Sequence, residues 1–178
     1  MAWSTRSSRT VYENPWIRVR EDDVTGPDGD GIYGVVQVRQ PAVFVVALDE
    51  NDRVCLVELE RYTTGRSLEV PAGGSDGEDP LLAAQRELRE ESGVTAARWE
   101  HLGRMNALNG IADAPEHVFL ARDLRIEDAG SSQRAEGIEA VRWVAFAEVL
   151  DLIADGEITD GETIAALAFA GIRAGRFR

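Results

Sequence analysis

The chain has 178 residues, enough for one compact domain with a substantial core. Apolar residues make up 44% and charged residues 29%, the balance of an ordinary globular protein, and no apolar run reaches the roughly 18 residues that would cross a membrane. The net charge of -13 argues against general binding to phosphate backbones, although a cation joining two anions leaves a phosphate ligand open.

In chain order, residues 1–10 are polar, expected to fray, and lack the apolar core of a signal peptide. TVYENPWIRVRED is strand-like and interrupted at Pro15, GPDGDG turns the chain, and IYGVVQVRQ alternates loosely as a strand. After Pro41, the apolar run 42–48 is rich in β-branched residues and predicts a buried strand. A turn at 49–52 and the run RVCLVEL predict a hairpin with it. The lone cysteine, Cys55, lies in that run and reads as a small buried hydrophobe in a reducing compartment. ERYTTGRSLEVPAGGSDGEDP is mostly loop, with a short strand near Leu68–Val70. Asp79 is placed to cap a helix with Pro80 at its first position, LLAAQRELREES propagates it, and Gly93 ends it. Strands follow near 97–104, 117–122 and 138–144, and helices near 146–154 and 161–170. The order implies one α/β domain, a mixed sheet covered by helices.

Glu87, Glu90 and Glu91 fall at i, i+3 and i+4 and so share one face of the predicted helix. Like charges at those offsets cost an isolated helix about 0.2–0.5 kcal/mol per pair. Hard oxygen donors grouped this way offset that by holding magnesium or manganese, which take carboxylates together with substrate phosphates. A solvated helix with Arg86 and Arg89 as ion-pair partners explains the same pattern. The glycine-rich turn before the helix lets backbone approach a ligand closely, or is simply a surface turn.

The stretch GGSDGEDPLLAAQRELREESGV resembles the signature of the Nudix hydrolases. Glu78 is followed by seven residues and then RELREESGV, which matches throughout, whereas Gly73 and Glu78 are separated by four residues, one fewer than the pattern has. The resemblance implies an α/β/α sandwich with a mixed sheet, spanning 1–178. It implies that Glu87, Glu90 and Glu91 bind Mg2+ (or Mn2+) with the backbone carbonyl of Ala72 or Gly73, and that Glu90 and Glu91 serve catalysis. Glu78 and Arg86 would form a structural ion pair steadying the loop, Glu78 also suiting the helix N-terminus.

Beyond the signature, ERYTTGRSLEVPAGG resembles the ADP-ribose pyrophosphatase branch, with Leu59 where that branch often has glutamine. Arg61 and Glu69 become substrate-binding candidates, Arg61 because a guanidinium pairs with two phosphate oxygens. Glu136, with Glu139 as rival, matches the region that supplies a water-activating carboxylate. The branch often has Ser-Pro-Gly after the signature, where this chain has Leu108-Asn109-Gly110. Residues 1–40 would form strands that contribute to a homodimer, with Trp16 and Tyr33 available to stack on a base or else packed in a core. His117 reads as a structural strand-edge histidine, and Trp99 and Trp143 as core or interface residues.

The reading that follows is a cytoplasmic enzyme hydrolysing the diphosphate of ADP-ribose or a related nucleoside diphosphate sugar to a nucleoside monophosphate and a sugar phosphate. Its expected partner is that small substrate, not nucleic acid or membrane. A house-cleaning nucleoside triphosphate pyrophosphohydrolase and a non-catalytic nucleotide-sugar sensor are the alternatives. No Gly-Lys-Ser or Gly-Lys-Thr follows the glycines, so they are not a P-loop.

Overall fold

A computed structural model describes residues 2–127 and 130–177. The chain opens with three antiparallel strands, β1 (Ser4–Glu13), β2 (Ile17–Gly26) and β3 (Gly29–Val38). Every residue of β1 is exposed. The expectation that residues 1–10 fray is therefore corrected. Their polar strand has no apolar face to bury, but facing charges and hydroxyls tie it to its neighbours through Arg9–Glu21, Ser8–Asp22 and Arg6–Asp30.

The apolar run after Pro41 is β4 (Ala42–Ala47), and the returning run is β5 (Arg53–Arg61). They do not form the expected hairpin ladder. The turn reverses the chain, with Asp49 accepting from the amides of Asn51 and Arg53, but only a bridge between Leu48 and Val54 joins the strands. β4 lies between β7 (Ala72–Gly74) and β10 (Pro115–Ile126), the latter parallel to it, and β10 pairs with β8 (Val94–Asn106). β5 sits in a separate antiparallel sheet between β6 (Gly65–Glu69) and β11 (Ile138–Ala145). A continuously apolar strand needs cover on both faces, and the divergence supplies it. A short strand, β9 (Ala112–Asp113), joins the first sheet beside β3.

Alternate residues of β4 feed two cores. Val43, Val45 and Ala47 meet Ala83, Ala84 and Leu88 of α1 (Pro80–Ser92). Phe44 and Val46, with Leu48 just past the strand, meet Leu56, Val118 and Leu120, closed over by Phe146 of α3 (Phe146–Ala154) and Leu167 of α4 (Gly161–Arg173). Full burial of a side chain such as Leu88 contributes about 1.5–3 kcal/mol. Helix layers on both sides of the mixed sheet give the expected α/β arrangement. A six-residue helix not expected from the sequence, α2 (Gly130–Ala135), precedes β11.

Cys55 is fully buried, and burial pushes its thiol up to about 12, which removes it as a nucleophile. Trp99 and Trp143 pack beside the α1-side core. Trp16 is 73% exposed, so the core-packing alternative fails for it. Tyr33 stands edge-on to Trp3 and donates its hydroxyl to the Gly110 carbonyl. His117 pairs with His101 across neighbouring strands, at 3.1 Å between ring nitrogens, in keeping with a structural role. No helix among the described residues is long and apolar enough to cross a membrane.

Candidate active site

α1 begins as its sequence dictates. Asp79 accepts from the Leu81 amide, Pro80 takes the first turn, and Gly93 closes the end in the left-handed region at φ 70°. The face it buries carries Ala83, Ala84 and Leu88, but also Glu87 and Glu91. Both carboxylates are 6% exposed, one helical turn apart, and lie under the Ala72–Gly74 strand. The Ala72 amide donates to Glu91 Oε2 at 2.9 Å, the only hydrogen bond to that carboxylate among the described residues. A Cβ placed on Gly73 would stand 2.2 Å from Glu87 Oε1. Glycine is required there by close approach of the turn to the Glu87 side chain.

Arg86 does more than pair with Glu78. Its Nε donates to Glu78 at 3.1 Å, its Nη1 to Glu87 at 2.7 Å and to Glu90 at 3.2 Å, and its Nη2 to the Gly74 carbonyl at 2.9 Å. Burial opposes its charge, but the bonds to Glu78, Glu87 and Glu90 outweigh it and hold the guanidinium protonated. The shortened glycine loop still reaches this clamp. The Glu78 amide turns back to the Ser75 carbonyl at 2.8 Å, with Asp76 and Gly77 at positive φ.

The three glutamates are therefore not equivalent. Glu87 and Glu91 share the buried face, while Glu90 is partly exposed and drawn to Arg86. Among the described residues no three acidic, thiol or imidazole side chains already converge on one metal position. Burial raises the pKa of Glu87, opposed by Arg86 and reinforced by Glu90 and Glu136. Burial also pushes Glu91 up to about 8, with the Ala72 amide and Arg61 opposing and Glu87 and Glu136 adding. Two buried, mutually repelling carboxylates with so few donors are a poor resting arrangement for a metal-free protein. They fit a divalent cation that takes its other oxygens from substrate phosphates and water.

The raised pKa of Glu91 has a thermodynamic consequence. Its folded value lies above its unfolded one, so its contribution to stability is fully present below pH 4.5 and is lost as pH rises through about 8. The ceiling on that loss is about 5 kcal/mol. Denaturant titrations at pH 5.5 and 8.5 on wild type and Glu91→Gln check this. Without divalent cations the wild type should lose more stability across the interval than the variant, and magnesium should restore more at the higher pH. Parallel losses in the two proteins would refute the linkage.

Next to the glutamates lies a cavity of about 420 Å³ whose walls include Phe44, Arg61, Glu69, Ala72, Gly73 and the start of α4. Arg61 and Glu69 form a two-bonded pair, Nε to Oε1 at 3.0 Å and Nη2 to Oε2 at 2.5 Å. The buried Thr163 hydroxyl of α4 accepts from the Val70 amide at 3.2 Å and fixes that helix against the strand leading into the turn. The sequence reading missed Asp160 and Glu162, which also line the cavity. An acid at a helix cap and another in its first turn carry no signal beyond capping. A cavity of about 440 Å³ beside Leu48, Arg98 and Trp143 contains none of the motif residues.

Glu136 and Glu139 separate clearly. Glu136 follows α2, which packs against α1, and its charge raises both Glu87 and Glu91. Glu139 lies in β11, and its charge instead favours the protonated state of Arg66. Tyr33 belongs to the N-terminal sheet and Trp16 to the turn between β1 and β2, and neither is part of the cavity wall.

Residues 38–167 match the model of the NUDIX domain, and residues 3–36 match that of the nucleoside diphosphate sugar hydrolase N-terminal domain. The ADP-ribose pyrophosphatase of Mycobacterium tuberculosis (strain ATCC 25618 / H37Rv) is 34% identical over 168 residues, covering 93% of this chain and 81% of the relative. The CMP-5'-(N-acetyl-N-hydroxy-3-aminopropyl)phosphonate hydrolase of Streptomyces rubellomurinus (strain ATCC 31215) is 29% identical over 180 residues, covering 99% and 86%. A solved structure of an ADP compounds hydrolase superposes with a TM-score of 0.83 at 22% identity, covering 100% of this chain and 97% of the other, and so has the same fold.

Proposed function

Because the chain belongs to the Nudix family of hydrolases, we propose that it cleaves the diphosphate linkage of ADP-ribose or a related nucleoside diphosphate sugar, releasing a nucleoside monophosphate and a sugar phosphate. The observation that supports this most is the pair of buried glutamates, Glu87 and Glu91, opening beside a cavity that already contains an aligned arginine. Magnesium, or manganese in its place, is the proposed cofactor, with Glu87, Glu90, Glu91 and the Ala72 backbone as its holders. Such a cation, when bound, neutralises phosphate charge and lowers the pKa of water.

The chain's own groups do the rest. Glu69 fixes the Arg61 guanidinium, whose remaining N–H groups face a phosphate oxygen of the substrate. Arg86 holds Glu87 and Glu90 in orientation and keeps the loop bearing Gly73 in place. Glu136 accepts the proton of the attacking water as its oxygen bonds to phosphorus and the bridging phosphorus–oxygen bond breaks. Replacing Glu136 by glutamine should then lower kcat by about 10²–10⁴-fold, with little change in magnesium affinity. Glu139→Gln should stay near wild type. Steady-state rates across a magnesium series measure both, and the reverse ranking would transfer the role to Glu139.

The named substrates of the two relatives differ in base and in the group beyond the phosphorus, so this chain's choice rests on its own cavity. A panel of ADP-ribose, ADP-glucose, GDP-mannose and nucleoside triphosphates, with product identification, tests the reading. Nucleoside monophosphate release from the sugar derivatives is the expected result. Pyrophosphate release from triphosphates alone would favour the house-cleaning alternative, and binding without turnover would favour the sensor.

The N-terminal sheet is the proposed homodimer surface. The sheet displays Val11, Tyr12 and Ile32 to solvent and its β1–β2 turn displays Trp16, an apolar set that pairing would cover. Trp16 is then available to stack on a base at that boundary, and Tyr33, opposite Asp22, supports the sheet farther along β3. Light scattering should give the mass of two chains, and a charged substitution at Trp16 should shift it toward one. A monomeric wild type would remove this element. The buried unpaired cysteine is compatible with the proposed cytoplasmic location.

A further inference from the structure

Between Glu69 and Ala72 the chain crosses from one of the sheets that wall the cavity to the other. Glu69 ends β6 opposite Val57, and Ala72 opens β7 opposite Phe44. Both ends carry site residues, since Glu69 holds Arg61 and the Ala72 amide bonds Glu91. The crossing itself belongs to neither ladder. Val70 is 1% exposed, so its amide is cut off from water and needs a partner within the protein. Pro71 has no N–H, and its carbonyl accepts from the Val45 amide at 2.9 Å. Thr163 of α4 supplies the acceptor at Val70, its hydroxyl oxygen 3.2 Å from the amide nitrogen.

Nothing in α4 itself calls for that hydroxyl. The helix buries Thr163, Ala166, Leu167 and Ala170, a stripe at i, i+3, i+4 and i+7 in which Thr163 is the one polar side chain. The cap uses only the backbone N–H of Thr163, which donates to Asp160 at 2.7 Å. Threonine is a weaker helix former than the alanine and leucine around it, and here it is fully buried. A valine would fill the stripe with nearly the same shape but leave the Val70 amide buried without a partner. Ala166 and Leu167 lock the helix into the core that also contains Leu68 and Val70, so the hydroxyl holds the crossing from a fixed support.

We propose that Thr163 is a positioning residue for the reaction. Its bond to Val70 sets the separation between Arg61, held by Glu69 one residue before, and Glu91 with the Ala72 backbone, two residues after. That spacing brings the phosphate gripped by the guanidinium to the cation position at the glutamates. The inference rests on the hydrolase reading and adds to it a residue that touches neither substrate nor cation.

Thr163→Val and Thr163→Ser separate positioning from packing. Three readouts are compared with wild type: the rise in melting temperature on adding magnesium without substrate, the exchange rates of the Val70 and Ala72 amides, and kcat for ADP-ribose across a magnesium series. Thr163→Val should raise the magnesium concentration for half-saturation and lower kcat, each by about 10–100-fold, the scale of losing a group that orients metal ligands. Exchange at both amides should be faster. Thr163→Ser keeps the acceptor and should stay within about threefold of wild type. If Thr163→Val does not fold, Thr163→Cys, whose sulfur is a weak acceptor, takes its place. A Thr163→Val protein that melts lower but keeps the wild-type magnesium response and kcat would reduce Thr163 to packing and overturn the inference, as would a serine variant as impaired as the valine one. Wild type with no magnesium-dependent cleavage would instead sink the hydrolase reading, and the magnesium-induced stabilisation and amide exchange would still decide the role of Thr163.

Discussion

Glu91→Gln is expected to lower kcat by about 10²–10³-fold, the scale of removing one preorganised electrostatic group, without loss of the folded state. The substitution is isosteric, and the glutamine oxygen still accepts from the Ala72 amide that now bonds Glu91 at 2.9 Å. What disappears is a buried charge that repels Glu87 and Glu136. The melting temperature at pH 8 should therefore stay level or rise, because the variant no longer has to ionise a group raised to about 8. Glu90→Gln should also cost activity, by a different route. Glu90 is less buried and bonded to Arg86 at 3.2 Å, so its loss frees part of the clamp as well as a cation ligand. Turnover and thermal melting measured together decide the matter. Near-normal turnover in both variants would remove the glutamates from the chemistry, and unfolding in both would reduce them to structural residues.

Gly73→Ala should be nearly as damaging although it changes no charge. The added Cβ would lie 2.2 Å from Oε1 and 2.3 Å from Cδ of Glu87. Glu87 cannot simply swing aside, since it is buried and bonded to Arg86 at 2.7 Å. Either the carboxylate or the turn must shift, at a cost of about 1–3 kcal/mol in packing, and a displacement near 1 Å at a reacting centre costs about 10²-fold in rate. The neighbouring glycine supplies the control. At Gly74 a Cβ would meet nothing closer than Asp76 Oδ1 at 3.5 Å, an ordinary contact. Gly74→Ala should keep kcat within about threefold of wild type, as surface substitutions away from special features do in stability. Similar rates for the two alanine variants would mean that close approach of the turn to Glu87 has no functional weight.

Where a local rule was strong, the sequence carried the answer. Asp79, Pro80 and Gly93 bounded α1, and the i, i+3, i+4 spacing placed the glutamates on one side of it. The finer division, Glu87 and Glu91 inward with Glu90 toward Arg86, depends on how α1 sits on β4 and β7, which no helix pattern encodes. The separation of β4 from β5 was hidden for a related reason. A strand apolar at every position gives no alternation to say which partner covers which face. The polar β1 failed in the opposite way, because its stability comes from Arg6, Ser8 and Arg9 finding partners on other strands. Glu136 and Glu139 were indistinguishable three residues apart, and only the packing of α2 against α1 and the place of Glu139 within β11 set them apart.

The most direct measurement is the rate of ADP-ribose cleavage across a magnesium titration, with both products resolved. Equal amounts of AMP and ribose 5-phosphate, saturation with magnesium, and loss of the signal on chelation are the expected result. Intact ADP-ribose and intact nucleotide sugars at saturating magnesium and manganese, or cleavage indifferent to chelation, would contradict it.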